Sequence, residues 1–161
     1  MSFRDKILSG DQLGSWREQA RQAGRKLVVT NGCFDLLHVG HVAYLESARA
    51  QGDLLLVGVN GDQAVRQLKG DGRPLNPEQD RAAVVAALGC VDAVCVFPER
   101  RATQFLELAR PDIYVKGGDY TLETLDPEER KVVEQAGGRI VLLPWVPGKS
   151  TTGLIARMAG G

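Results

Sequence analysis

The sequence predicts an α/β protein built on a single doubly wound, parallel, five-stranded sheet. Three observations point there. Short apolar runs alternate with helix-patterned stretches along the whole chain, as successive βαβ units require. One of the runs, DLLLVGVN (53–60), is nearly continuous in apolar residues, as in a strand covered on both faces. Gly is in excess, 19 of 161 residues or about 12% against a usual ~7%, so tight turns or close backbone approaches are needed.

Leu13, Trp16, Ala20 and Ala23 recur at helical spacing after Asp11 and stop at Gly24, which predicts an opening amphipathic helix, with residues 1–24 as an N-terminal helical extension. LVVTNG (27–32) is the first strand. A helix with Leu45 and Ala48 on one face follows from about Val39 and closes near Gly52. DLLLVGVN (53–60) is the second strand. Asn76-Pro77-Glu78-Gln79 reads as a helix start with a cap, an N1 proline and Gln at N3, ahead of Val84, Val85, Leu88 and the terminating Gly89. DAVCVF (92–97) is a strand, 101–109 a helix and DIYVKGG (112–118) a strand. Asp126-Pro127-Glu128-Glu129 starts a helix that ends at Gly137-Gly138, RIVLLPW (139–145) is the fifth strand, and a last helix runs from Ser150–Thr152 to Met158.

At 161 residues the chain fits one domain, residues 1–161, able to bury a core without disulfides or structural metal. Twenty basic and twenty acidic residues leave a formal charge of zero, which argues against partnership with nucleic acid or anionic membrane. There is no apolar run of membrane-spanning length and no signal-peptide core, so a cytoplasmic location is expected. Cys33, Cys90 and Cys95 are odd in number and lack CxxC spacing, and read as reduced, structural thiols.

Doubly wound sheets bind ligands beyond the carboxyl ends of their strands, which directs attention to 31–41, 60–73, 116–120 and 145–152. The only two histidines of the chain, His38 and His41, lie three apart where a helix begins, so both imidazoles can face one ligand. The free N–H groups and positive dipole end of that helix suit phosphate. Unrelated histidines, or a zinc site using Cys33, His38 and His41, are the competing readings.

Gly32-Cys33-Phe34-Asp35-Leu36-Leu37-His38-Val39-Gly40-His41 resembles the G-x-F-D-x-x-H-x-G-H signature of the nucleotidyltransferase superfamily, complete at its defining positions. The resemblance implies a Rossmann-like nucleotidyltransferase fold. It implies that His38 and His41 hold a triphosphate and stabilise the pentacoordinate α-phosphorus while an acceptor phosphate displaces pyrophosphate. Gly32, Cys33 and Phe34 would contribute backbone contacts to the nucleotide. Asp35 would either belong to the substrate site or cap the turn.

Four further stretches resemble the adenylyltransferases that make ADP-heptose: Lys69 to Pro77; Arg81; Val115-Lys116-Gly117-Gly118-Asp119-Tyr120; and Gly148-Lys149-Ser150-Thr151-Thr152. Together the likeness covers roughly residues 25–158. In many bacteria that activity is the C-terminal half of a bifunctional heptose kinase/adenylyltransferase, and here a stand-alone form is expected. ATP and a sugar 1-phosphate are the implied substrates, with Mg²⁺ carried on the triphosphate and a homodimer as the assembly.

Lys69, on the loop after the second strand, is placed between acceptor phosphate and α-phosphate, with Arg73 as a weaker substrate candidate. Arg81 matches a phosphate-contacting position, and a cation in the first turn of a helix opposes the dipole. Lys116 and Gly117 suit close approach to base and ribose. Ser150 and Thr151, ordinary helix caps on spacing alone, become β- and γ-phosphate contacts by resemblance. The cytidylyltransferases carry an arginine in an R-T-x-G-x-S-T stretch where this chain reads Trp145-Val146-Pro147-Gly148-Lys149-Ser150-Thr151, so Lys149 is a possible substitute charge. A cytidylyltransferase acting on glycerol 3-phosphate or a similar small phosphate is the alternative.

Overall fold

The computed structural model describes residues 1–118 and 120–160; Asp119 of the Lys116–Tyr120 stretch lies outside them. A single 3-10 turn (Phe3–Lys6) leads into strand β1 (Ile7–Leu8) and helix α1 (Gly10–Gln22). There follow β2 (Leu27–Gly32), α2 (Val39–Arg49), β3 (Leu54–Asn60), α3 (Asp62–Lys69), α4 (Glu78–Ala86), β4 (Ala93–Phe97), α5 (Thr103–Ala109), β5 (Ile113–Gly117), α6 (Pro127–Gln135), β6 (Arg139–Leu143) and α7 (Thr151–Gly160).

The six strands form one sheet in the order β1-β4-β3-β2-β5-β6, and every pairing is parallel. The parallel doubly wound sheet is as predicted, but it has six strands rather than five. The extra strand is a two-residue edge piece, Ile7 and Leu8 opposite Val94 and Cys95, too short to leave an alternation in the sequence. It ties the segment before α1 to the sheet, and α1 buries Leu13 and Ala20 in the core, so the N-terminal extension covers the sheet.

Alternate strand residues feed two cores. Leu27, Val29, Leu56, Cys95 and Tyr114 pack under α1, α5 and α6; Val28, Leu55, Val57, Val94 and Val115 pack under α2 and α4. All seven residues of β3 are buried, which is why it reads as a continuous apolar run.

Two local readings change. Residues 62–69 form α3, an eight-residue helix burying only Ala64 and Val65, too short for a recognisable stripe, so Lys69 ends a helix instead of sitting on a loop. The residue capping α4 is Pro77 and makes no side-chain cap bond. The Asn76 amide, expected as that cap, donates to the Asp35 carbonyl at 2.9 Å. Among the described residues, no helix is long and apolar enough to cross a membrane.

Candidate active site

The sheet order reverses between β2 and β5, and there the sheet opens. β2 pairs with β3 over six residues, from Leu27 to Gly32, but with β5 only at Val28 and Val29. Beyond Val29 side chains replace the ladder: the Thr30 hydroxyl donates to the Val115 carbonyl at 2.9 Å and lies 2.7 Å from the Tyr44 hydroxyl. A crevice at such a switch point is where doubly wound folds take their ligands.

His38 and His41 stand over this crevice at the start of α2. His38 is its N-cap, with extended backbone, and its Nδ1 accepts from the Gly40 N–H at 3.0 Å. His41 Nδ1 accepts from the His38 N–H at 3.3 Å, and the ring centroids are 4.1 Å apart. Because both Nδ1 atoms are acceptors, each neutral ring carries its proton on Nε2, the atom free to meet a ligand. Burial, and then the neighbouring His38, push His41 down to about 4. Burial, and then Lys149, lower His38. The pair is thus two neutral N–H donors at a helix N-terminus.

Small residues let the rings close up. A Cβ on Gly40 would lie 2.7 Å from His38 Cε1 and 3.2 Å from Lys149 Cβ, and one on Gly32 would lie 2.9 Å from the Phe34 ring. Phe34 is held at φ 50° with its ring 5.6 Å from that of His41. Gly117 abuts the Tyr44 ring, at 2.7 Å from a built Cβ, and Gly118, at φ +80°, abuts the Trp145 indole. Trp145 packs 5.0 Å from Tyr44 and edge-on to His41 at 6.1 Å.

Outside the rings is a cavity of about 440 Å³ lined by His38, Lys149, Ser150, Gly153, Leu154 and Arg157, among others. Arg157 was not singled out in the sequence; its signal is the 150, 153, 154, 157 spacing of one helix face. Ser150 accepts from the Gly153 N–H at 2.9 Å, as a helix cap does, and the Thr151 hydroxyl donates to the Leu36 carbonyl at 2.7 Å. Both therefore fasten α7 beside the histidine loop.

Arg81 faces the interior and is 1% exposed. It donates to the carbonyls of Asn76 (3.0 Å), Cys33 (2.7 Å) and Asn60 (2.8 Å) and to the Asp62 carboxylate (2.8 Å), so four of its five N–H groups hold the protein's own backbone and carboxylate. Three stretches, at 33, 60–62 and 76, thus meet on one side chain. Asp35, buried at 4%, is likewise an anchor: it accepts from Arg73 Nε at 2.8 Å and from the Leu75 and Asn76 N–H groups, and those bonds hold its carboxyl below the usual range against its burial. Arg73 therefore pins the 70–76 loop. Lys69 is exposed at the end of α3, within electrostatic reach of Cys33. Burial nonetheless pushes the Cys33 thiol up, against the pull of Lys69, Arg81 and Arg73.

Lys116 projects from β5 on the other sheet face from Tyr44. Its Nζ is 3.5 Å from Asn31 Oδ1, and lies over the rings of Tyr114 (5.5 Å) and Tyr120 (4.9 Å). Among the described residues, no three His, Cys, Asp or Glu side chains group as a metal cage.

A family model described as cytidylyltransferase-like matches residues 29–153. The chain belongs to the cytidylyltransferase-like family. The match spans the sheet from β2 to β6, the histidine pair and the start of α7. Among curated proteins the chain is 49% identical over 158 residues to the bifunctional protein HldE of Syntrophotalea carbinolica, covering 98% of this chain and 32% of that protein. It is 50% identical over 156 residues to bifunctional HldE of Geotalea uraniireducens, covering 97% and 31%. The chain thus spans about a third of the length of these relatives. A lipopolysaccharide core biosynthesis protein from Thermoplasma volcanium superposes with a TM-score of 0.63 at 27% identity, over 76% of this chain and 98% of that one. The cytidylyltransferase-like assignment makes the chain a nucleotidyltransferase, as the signature implied.

Proposed function

We propose that the chain transfers AMP from ATP to D-glycero-β-D-manno-heptose 1-phosphate, giving ADP-heptose and pyrophosphate for the lipopolysaccharide core. The observation that carries this reading is the seating of the histidine pair: both rings are bonded to backbone N–H through Nδ1 at a helix N-terminus, and His38 lines a cavity together with Lys149 and Arg157. Near 50% identity to bifunctional HldE over almost the whole chain supports the heptose branch.

An acceptor phosphate oxygen attacks the α-phosphorus in line, forming one P–O bond as the bond to pyrophosphate breaks. The enzyme supplies no covalent nucleophile. His38 and His41 donate to non-bridging phosphate oxygens as charge gathers there, and the α2 dipole adds to them. Lys149 and Arg157 neutralise the leaving pyrophosphate, and Lys116 acts from the opposite sheet face. Mg²⁺ bound to the triphosphate would supply further neutralisation of its phosphate charge. The reaction belongs in the cytoplasm, where ATP is made, and the family resemblance supports a homodimer, which light scattering of the purified chain checks.

The test is pyrophosphate release with Mg²⁺, crossing ATP and CTP against heptose 1-phosphate and glycerol 3-phosphate. Release with ATP and the heptose phosphate alone is expected. Release with CTP and glycerol phosphate instead would overturn the assignment.

A further inference from the structure

Behind Lys116 lies a buried polar chain that neither the histidine loop nor the α7 cavity uses. Tyr114, 1% exposed, donates its hydroxyl proton to Asn31 Oδ1 at 2.7 Å, the same oxygen that faces Lys116 Nζ at 3.5 Å. The second acceptor within reach of the same hydroxyl proton is Glu129 Oε1 at 3.5 Å, an oxygen that also accepts the Ala102 N–H at 3.1 Å. The chain runs from α6 through β5 to the end of β2 and ends on the ammonium at the mouth of the crevice.

Glu129 is 9% exposed, and among the described residues it has no salt-bridge partner within reach, although a buried carboxylate needs compensation. Its neighbour Asp126 is already committed, paired with Arg101 at 3.1 Å and capping α6 through the Glu128 N–H. Lys116 has the complementary problem: burial lowers it from its usual range, while Glu129 first and Asp126 second pull it back up. Among the described residues, the groups facing Lys116 are Tyr114 on its own strand, Tyr120 on the following loop, and Glu129 on α6 with Asp126 at its N-cap.

We propose that Glu129, acting through Tyr114 and Asn31, is a positioning residue for Lys116: it keeps the ammonium charged in a desolvated site and fixes it at the β2–β5 opening. Lys116 can then meet the anionic part of a bound substrate without first being ordered. The catalytic use of Lys116 rests on the function proposed above; the linkage to Glu129 does not.

The test reads the linkage directly. In protein carrying ¹³C-labelled lysine, the Lys116 side-chain resonance, assigned with Lys116→Arg, is followed against pH in the wild type and in Glu129→Gln. Gln keeps the shape of Glu and can still accept the Ala102 N–H. Removing a nearby negative charge should lower the Lys116 midpoint by about one pH unit. Tyr114→Phe keeps the carboxylate but breaks the link to Asn31, and should broaden or shift the Lys116 signal at pH 7. Coincident titrations in wild type and Glu129→Gln, with an unmoved signal in Tyr114→Phe, would overturn the proposal. Should Glu129→Gln fail to fold, the Tyr114→Phe signal decides alone. In the pyrophosphate assay, Glu129→Gln should lose activity at high pH and recover towards wild type at lower pH. A wild type silent with heptose phosphate would refute the functional reading and leave the titration result standing.

Discussion

Replacing Arg81 by Met separates the two roles open to that residue. Met keeps most of the apolar stem and removes four donated bonds of 2.7–3.0 Å, leaving the carbonyls of Cys33, Asn60 and Asn76 and the Asp62 carboxylate without their common partner. Asp62 is half-exposed and regains water, so the cost comes mainly from the orphaned carbonyls of Cys33, Asn60 and Asn76 at about 1–3 kcal/mol each, a total of roughly 3–5 kcal/mol after relaxation. Domain stabilities are only about 5–15 kcal/mol, and at this size each kcal/mol moves Tm by ~2–4 °C. The expected fall is therefore roughly 6–20 °C, read by circular dichroism on the purified variant. ATP affinity, measured by calorimetry well below the new Tm, should weaken only to the extent that the histidine loop shifts. An unchanged Tm together with a large loss of ATP affinity would restore the phosphate contact that the sequence suggested and refute the inward assignment.

His41→Ala should cut turnover about 10²–10³-fold, the usual cost of one transition-state donor, while Tm moves by a few degrees at most; parallel loss of both would sink the donor role. The depressed His41 also predicts a pH effect on folding. The unfolded imidazole binds its proton near 6.5 and the folded one only near 4, so stability is complete above 6.5 and falls as the pH drops from 6.5 towards 4. Denaturant titrations across that range should show a slope that flattens in His41→Gln. Gly40→Ala puts a methyl 2.7 Å from His38 Cε1, so the ring must turn; kcat should fall at least about tenfold with little change in Tm, and wild-type kcat would contradict the seating of that ring. Arg157→Ala should raise the KM for ATP about tenfold, an effect that fades as salt rises; an unchanged KM would remove the α7 cavity from the triphosphate path.

What the sequence made legible follows from which signals are local. Strands buried on both faces announce themselves as apolar runs, so β2 to β5 could be placed, and the half-exposed edge strand β6 still shows in the apolar residues of RIVLL, whereas β1 carries two residues and α3 barely two turns. The histidine pair was legible for the same reason: three residues of separation at a helix start fix a shared face before any tertiary structure exists. The direction of a cation is not local. Arg81 points inward because its acceptors belong to residues 33, 60, 62 and 76, which only folding brings together. Arg73 is turned by Asp35, 38 positions away, and Asn31 meets Tyr114 only because β2 and β5 are neighbours across the point where the strand order reverses. Basic residues that resemble phosphate contacts in the sequence thus divide into two groups. Those with buried carbonyl and carboxylate partners shape the crevice. Lys69 and Lys149, exposed and without a salt bridge among the described residues, and the half-buried Lys116 keep charge to offer an incoming triphosphate, to which the cavity wall adds Arg157.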